Sequence, residues 1–102
     1  MKRESMQVVR GTGNVFRDLG RVDADLDQLK AILAAEILKV LDREALSVRA
    51  AQAKTGIAAA DFSRIRNASL GRFTADRLML VLGRLGKRVD VKVRVRPVAL
   101  AS

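Results

Sequence analysis

Residues 46–67, LSVRAAQAKTGIAAADFSRIRN, leave a chain few ways to fold. Ser47 precedes a helical stretch, and its hydroxyl can accept a hydrogen bond from an orphaned backbone N–H. Val48, Ala51 and Thr55 then fall on one helical face. Gly56 sits where that helix must stop and the chain must turn, a place that calls for positive φ. Ile57 fills the corner, and Phe62 and Ile65 give a second helix its buried stripe. Asp61, Ser63, Arg64, Arg66 and Asn67 lie outside or beside that stripe. Two short helices joined at a glycine corner need the rest of the chain as a platform.

The charge is unevenly spread. The net charge is +9 over 102 residues. Residues 1–44 hold eight Lys/Arg and eight Asp/Glu, whereas residues 45–102 hold twelve Lys/Arg and three Asp/Glu. The segment with the two helices therefore lies in a strongly basic half, the electrostatic footprint of a polyanion partner. Cysteine and histidine are both missing, which argues against zinc sites, thiol nucleophiles, histidine bases and disulfides. With no evident carboxylate pair either, neither an enzyme nor a cofactor is expected. Three Phe and no Tyr or Trp make a stacking platform for single strands a poor fit. The apolar runs are too short to span a membrane, and the opening MKRESMQVVRGTG lacks the apolar stretch of a signal peptide, so a cytoplasmic location is expected.

The flanking segments suggest four parts: an arm over 1–22, a helical DNA-binding domain over 23–88, a strand over 89–97 and a tail over 98–102. Met6 to Val9 reads as a short strand or a disordered arm, with a turn at Gly11-Thr-Gly13. Residues 14–20 look like a single turn that tucks Val15, Phe16 and Leu19 away. Asp23 or Asp25 is expected to cap a long helix that runs to about Arg43, with Leu29, Ile32, Leu33, Ile37, Val40 and Leu41 on its apolar face. After a loop at 69–72, Thr74 caps a further helix that buries Leu78, Val81, Leu82 and Leu85 and ends at Gly86. Val89, Val91, Val93 and Val95 then alternate with Asp90, Lys92, Arg94 and Arg96 up to Pro97, the period of a half-buried strand. A lone strand exposes an unpaired edge, so it is expected to pair with its copy across a two-fold dimer or within its own subunit.

From Leu29 to Arg96 the chain resembles the Xre type of helix-turn-helix protein, the phage-repressor-like class. GTGNVFRDLG, GIAAADFSRIRN, RFTADRL and the alternating terminal segment together resemble the antitoxins of the HigA group. The resemblance implies a mainly α fold, a five-helix-type helix-turn-helix bundle with a short C-terminal β-strand that pairs across a dimer. It implies that the second motif helix enters the major groove of double-stranded DNA. Ala59, Ala60, Asp61 and Arg64 would then face base edges. Arg64 can bond a guanine edge, either alanine can touch a thymine methyl, and Asp61 can accept from cytosine or simply favour the helix N-terminus. Ser63, Asn67 and Arg72 would contact phosphate, as would Ser47 at the start of the preceding helix, with Arg66 at the rim of the same surface. Three departures from the family pattern stand out: Val48 where Gln is common, Gln52 where a small Ala is common, and Ala58 where a polar cap is common.

The expected function is a repressor and antitoxin. A dimer would place its reader helices about 34 Å apart on a palindromic operator of its own operon. It would also neutralise a RelE-like ribonuclease toxin. Val15, Phe16, Leu19, Asp18, Asp23, Asp25 and Asp27 are where a toxin would bind, unless they only cap and staple the first helix. The alternative is a stand-alone regulator of the same family without a toxin partner.

Overall fold

The computed structural model describes the backbone of residues 15–97 and the side chains of residues 21–97. The expectations for Met6–Val9, the Gly11–Gly13 turn and the tail at 98–102 lie outside the described residues, as do the side chains of Val15, Phe16, Asp18 and Leu19. The described residues form four helices: α1 (Val15–Arg43), α2 (Val48–Thr55), α3 (Ala59–Arg66) and α4 (Ala75–Arg84). Residues 28–89 form one compact unit, and 15–27 and 90–97 belong to a second.

Two expectations about architecture fail. The bundle has four helices among the described residues, not five, because the turn expected at 14–20 and the helix expected from Asp23 or Asp25 are one continuous α1 of 29 residues. Leu19, Val22, Leu26, Leu29 and Leu33 keep one apolar period of three or four, while Asp25 and Asp27 fall off that stripe and Asp23 stands at its edge. The acids therefore read as an exposed face within a helix rather than its start. Gly20 lies inside α1, at a propensity cost of about 1 kcal/mol. The second failure is the C-terminal strand. Residues 90–97 are irregular and exposed, and no strand occurs among the described residues. An alternating pattern suits a strand but cannot supply the partner ladder that makes one.

The core lies in residues 28–89. Leu33, Ala34, Ile37, Val40 and Leu41 of α1 are buried at helical spacing. They pack with Ala51, Ile57, Phe62, Ile65, Phe73, Leu78, Val81, Leu82 and Leu85. Leu29 and Ile32, expected on the buried face, stay exposed. Val89 packs against the core from its edge, whereas Val91, Val93 and Val95 are exposed.

The helices end in related ways. After α1, the N–H of Leu46 reaches back to the Leu41 carbonyl (2.8 Å) and that of Ala45 to Asp42 (3.2 Å). After α3, Ser69 bonds Arg64 (2.8 Å) and Ala68 bonds Ile65 (3.1 Å). After α4, Lys87 bonds Leu82 (2.9 Å) and Gly86 bonds Gly83 (3.0 Å). Each pair of bonds is a Schellman motif, which puts one residue in the left-handed region. Gly86 takes it at φ 84°, as its position suggests, but Ala45 (φ 53°) and Ala68 (φ 57°) take it with a Cβ.

Candidate nucleic-acid interface

The two motif helices are built from short-range bonds. The Ser47 hydroxyl accepts from the Ala50 N–H (3.0 Å) and caps α2. At the other end Gly56 (φ 77°) donates its N–H to the Gln52 carbonyl (2.8 Å). Buried Thr55 ties the corner together: its hydroxyl donates to the Ala51 carbonyl (2.7 Å) and accepts from the Ile57 N–H (3.0 Å). Arg84 of α4 donates to the Thr55 carbonyl (2.9 Å), so a cation meets the negative end of α2. Ala51, Ile57, Phe62 and Ile65 are buried beneath.

Ala58 makes no side-chain cap for α3. The Gln52 Oε1 atom accepts from the Ala59 N–H instead, at 2.7 Å. Two of the departures from the family pattern thus compensate each other: the long polar side chain on α2 does the work that position 58 leaves undone.

At about 100° per residue, α3 has a clear outer face. Phe62 and Ile65 point inward. Ala60, Ser63 and Asn67 are exposed and Arg64 is half-buried, and these four share the opposite side. Asp61 and Arg66 occupy the two flanks. Arg66 leans toward α1, where its Nη2 bonds Asp42 at 3.0 Å. Asp61 leans toward α4: Oδ1 accepts from Arg64 Nη1 at 2.7 Å, and Oδ2 lies 3.6 Å from Arg77 Nη2. Ala59 is half-buried, and Ser47 is exposed at the start of α2. Arg72 is exposed in the loop after α3. Lys30 of α1 holds that loop by donating to the carbonyls of Phe73 (3.0 Å) and Leu70 (3.4 Å).

Of the residues expected to form the site, Ala60, Ser63, Arg64 and Asn67 are brought onto one surface. Asp61 stands at its border, and Arg66 is engaged on the other side. Gln52 and Arg77 were not foreseen as part of it. An uncapped Ala58 six residues after a glutamine was the only sequence signal for the first. The second needed the packing of α4 on the motif.

Among the described residues, two carboxyl groups are lowered from their ordinary values. Glu44 accepts from Lys54 (2.9 Å) and lies 3.2 Å from Lys87, and these two ammonium groups, Lys54 foremost, hold it charged. Asp76 is lowered chiefly by the Thr74 hydroxyl. No cluster of acidic residues able to hold a metal occurs among the described residues. No helix among them is long and apolar enough to cross a membrane.

This geometry agrees with what the chain is similar to. A family described as "Helix-turn-helix domain" matches residues 15–94. A solved structure named as an XRE-family transcriptional regulator is 38% identical, with a TM-score of 0.67 over 78% of this chain and 90% of that one. No curated protein matches. The helix, glycine corner and second helix at 48–66 lie inside both the matched span and the compact unit, and on these grounds the chain belongs to the helix-turn-helix domain family, in its XRE type.

Proposed function

We propose that this XRE-type protein is a sequence-specific repressor that binds a palindromic operator as a homodimer and autoregulates its own operon. The observation that carries the reading is the outer face of α3. Ala60, Ser63, Arg64 and Asn67 form a shallow surface with one long cation, flanked by the exposed Arg72 loop. Small residues let the helix approach base edges closely, and a guanidinium can bond guanine at two points. Ser47 and Arg72 lie at helix and loop ends, suited to phosphate. Asp61 and Arg66 stand at the flanks, Ala59 at the first turn. Exposed Val91, Val93 and Val95 offer apolar contact to a second copy by side-chain burial, with Val89 at the core edge.

The same reading makes the protein the antitoxin of a toxin–antitoxin pair, with a RelE-like ribonuclease as partner. Its support is the resemblance of the flanking segments to the HigA group. The exposed Asp23, Asp25, Leu26 and Asp27 of α1 also suit a basic protein partner.

The test is a footprint and titration on DNA upstream of the protein's own gene, against random DNA at two salt concentrations. Two protected half-sites one helical turn apart support the dimeric repressor. Arg64→Ala should cost roughly 1–3 kcal/mol on the operator and relax one base pair. Equal, salt-steep binding to both DNAs would reject sequence-specific repression. Co-purification with the product of an adjacent short reading frame tests the toxin pairing, and its failure leaves a stand-alone regulator.

A further inference from the structure

We infer that Asp61 is a positioning residue for base recognition: it holds the Arg64 guanidinium in a pre-set orientation on the outer face of α3, with Arg77 of α4 anchoring the carboxylate from the other side. The inference rests on reading α3 as the groove-facing helix and adds to it a specificity determinant that touches no base.

The geometry is that of a fork held by one prong. Asp61 and Arg64 are three apart, so both sit on the same side of α3 one turn from each other. Asp61 Oδ1 takes one hydrogen from Arg64 Nη1 at 2.7 Å, the short distance of a charge-assisted bond. A guanidinium carries five N–H donors in a plane, so four remain, including a complete edge for a guanine. Arg77 Nη2 lies 3.6 Å from the other carboxylate oxygen, too long for a hydrogen bond but close enough to fix the anion. Asp61 has only 20% of its side chain exposed, against 37% for Arg64 and 43% for Arg77. The carboxylate is therefore the sheltered hinge of the cluster, and the cations are its open ends. Two arginines against one aspartate leave the cluster at net +1, so it still attracts a polyanion.

A long arginine free in solvent must be ordered when it binds, and each rotamer-rich side chain immobilised weakens association. Arg64 has lost part of that freedom before DNA arrives. Fixing its plane also penalises base pairs that do not offer two acceptors at that place. An acidic side chain near a phosphate backbone should by charge alone oppose binding, so the two roles predict opposite signs.

The experiment compares wild type, Asp61→Ala, Asp61→Asn, Arg64→Ala and the Asp61→Ala/Arg64→Ala double variant. Each is titrated with the upstream DNA, with a panel of single-base substitutions in it, and with random DNA. Melting temperature is recorded alongside. The positioning role expects Asp61→Ala to bind random DNA as well as wild type or better, and to lose roughly tenfold of its discrimination, the order of one good bidentate contact. The loss falls at the base pair that Arg64→Ala relaxes, and the double variant is no worse than Arg64→Ala. Asp61→Asn, which keeps an acceptor oxygen, retains part of the discrimination and serves if the alanine variant does not fold. Tighter binding to every DNA with the base preference intact overturns the proposal, since Asp61 is then only an opposing charge. A preference lost at a different base pair, additive with Arg64→Ala, overturns it in favour of direct reading by Asp61. A lower melting temperature with unchanged base preference makes the cluster a structural tie between α3 and α4. If the wild type itself shows no sequence preference, sequence-specific repression fails and this proposal falls with it, a result the wild-type arm reveals on its own.

Discussion

The bond from Gln52 to Ala59 gives a sharp test, because it caps a helix from outside that helix. Every α-helix leaves its first N–H groups without intrahelical partners, and a capping side chain is worth about 1 kcal/mol. Here Ala58 supplies nothing, and Gln52 Oε1 takes the Ala59 N–H at 2.7 Å. Gln52→Ala removes that acceptor without touching the core. The site is open, so water can replace the amide, which puts the loss at about 0.5–1 kcal/mol. For a domain of this size 1 kcal/mol shifts the melting temperature by roughly 4–8 °C, so a fall of about 2–8 °C is expected by circular dichroism or calorimetry. Ala58→Ser should raise stability by a similar amount in either background, because an N-cap hydroxyl serves a donor further along the helix. Gln52→Glu separates the two roles of this end of α3. A carboxylate suits the positive end of the helix and should add about 0.3–1 kcal/mol, while it repels DNA phosphate and weakens binding. A Gln52→Ala variant that melts with the wild type would refute the argument, because α3 would then owe its start to packing alone.

Three further outcomes follow from local geometry. Ala45→Gly and Ala68→Gly should each stabilise the fold by about 0.5–1 kcal/mol, because left-handed backbone costs an alanine about 1–2 kcal/mol and glycine's extra unfolded-state freedom offsets only part of that; urea titration reads the change. Glu44 titrates below its ordinary value of 4.5, so its share of stability is whole above that value and is lost as pH falls through the lowered folded value; Glu44→Gln should flatten this part of the acid-unfolding curve. Arg72→Ala should weaken operator and random DNA about equally and shrink the salt slope by about one, whereas a loss confined to the operator would make Arg72 a base reader.

The parts legible in the sequence were those set by near neighbours. Ser47 and Thr74 cap because a hydroxyl reaches an N–H three residues on, and Gly56 and Gly86 end helices because a missing Cβ permits positive φ. The spacing of Phe62 and Ile65, and of Leu78, Val81 and Leu82, identified buried faces for the same reason. What escaped needed distant partners or a choice between competing local signals. The start of α1 was misplaced because Asp23 and Asp25 resemble caps, although the apolar period runs straight past them. The strand was over-read because alternation at 89–96 says nothing of a partner. Ala45 and Ala68 take a conformation that no glycine announced. In the site, the outer face of α3 could be drawn from helical periodicity. The Asp61–Arg64–Arg77 cluster and the Gln52 cap depend on how α4 and α2 lie against α3.

The sparseness of the α3 face bears on how such a protein finds an address among many. Ala60 and Ser63 hold little base information, Asn67 lies past the end of the helix, and one arginine resolves about one base pair. A mismatch costs about 1–3 kcal/mol, yet a genome offers on the order of a million or more rival sites. One such helix would therefore be outnumbered by its decoys. In the dimeric reading proposed above, the remaining selectivity comes from doubling the reader with fixed half-site spacing and from sequence-dependent stiffness of the DNA between the half-sites. An operator for this protein should accordingly be most sensitive to an inserted or deleted base pair at its centre, more than to most single substitutions in its arms.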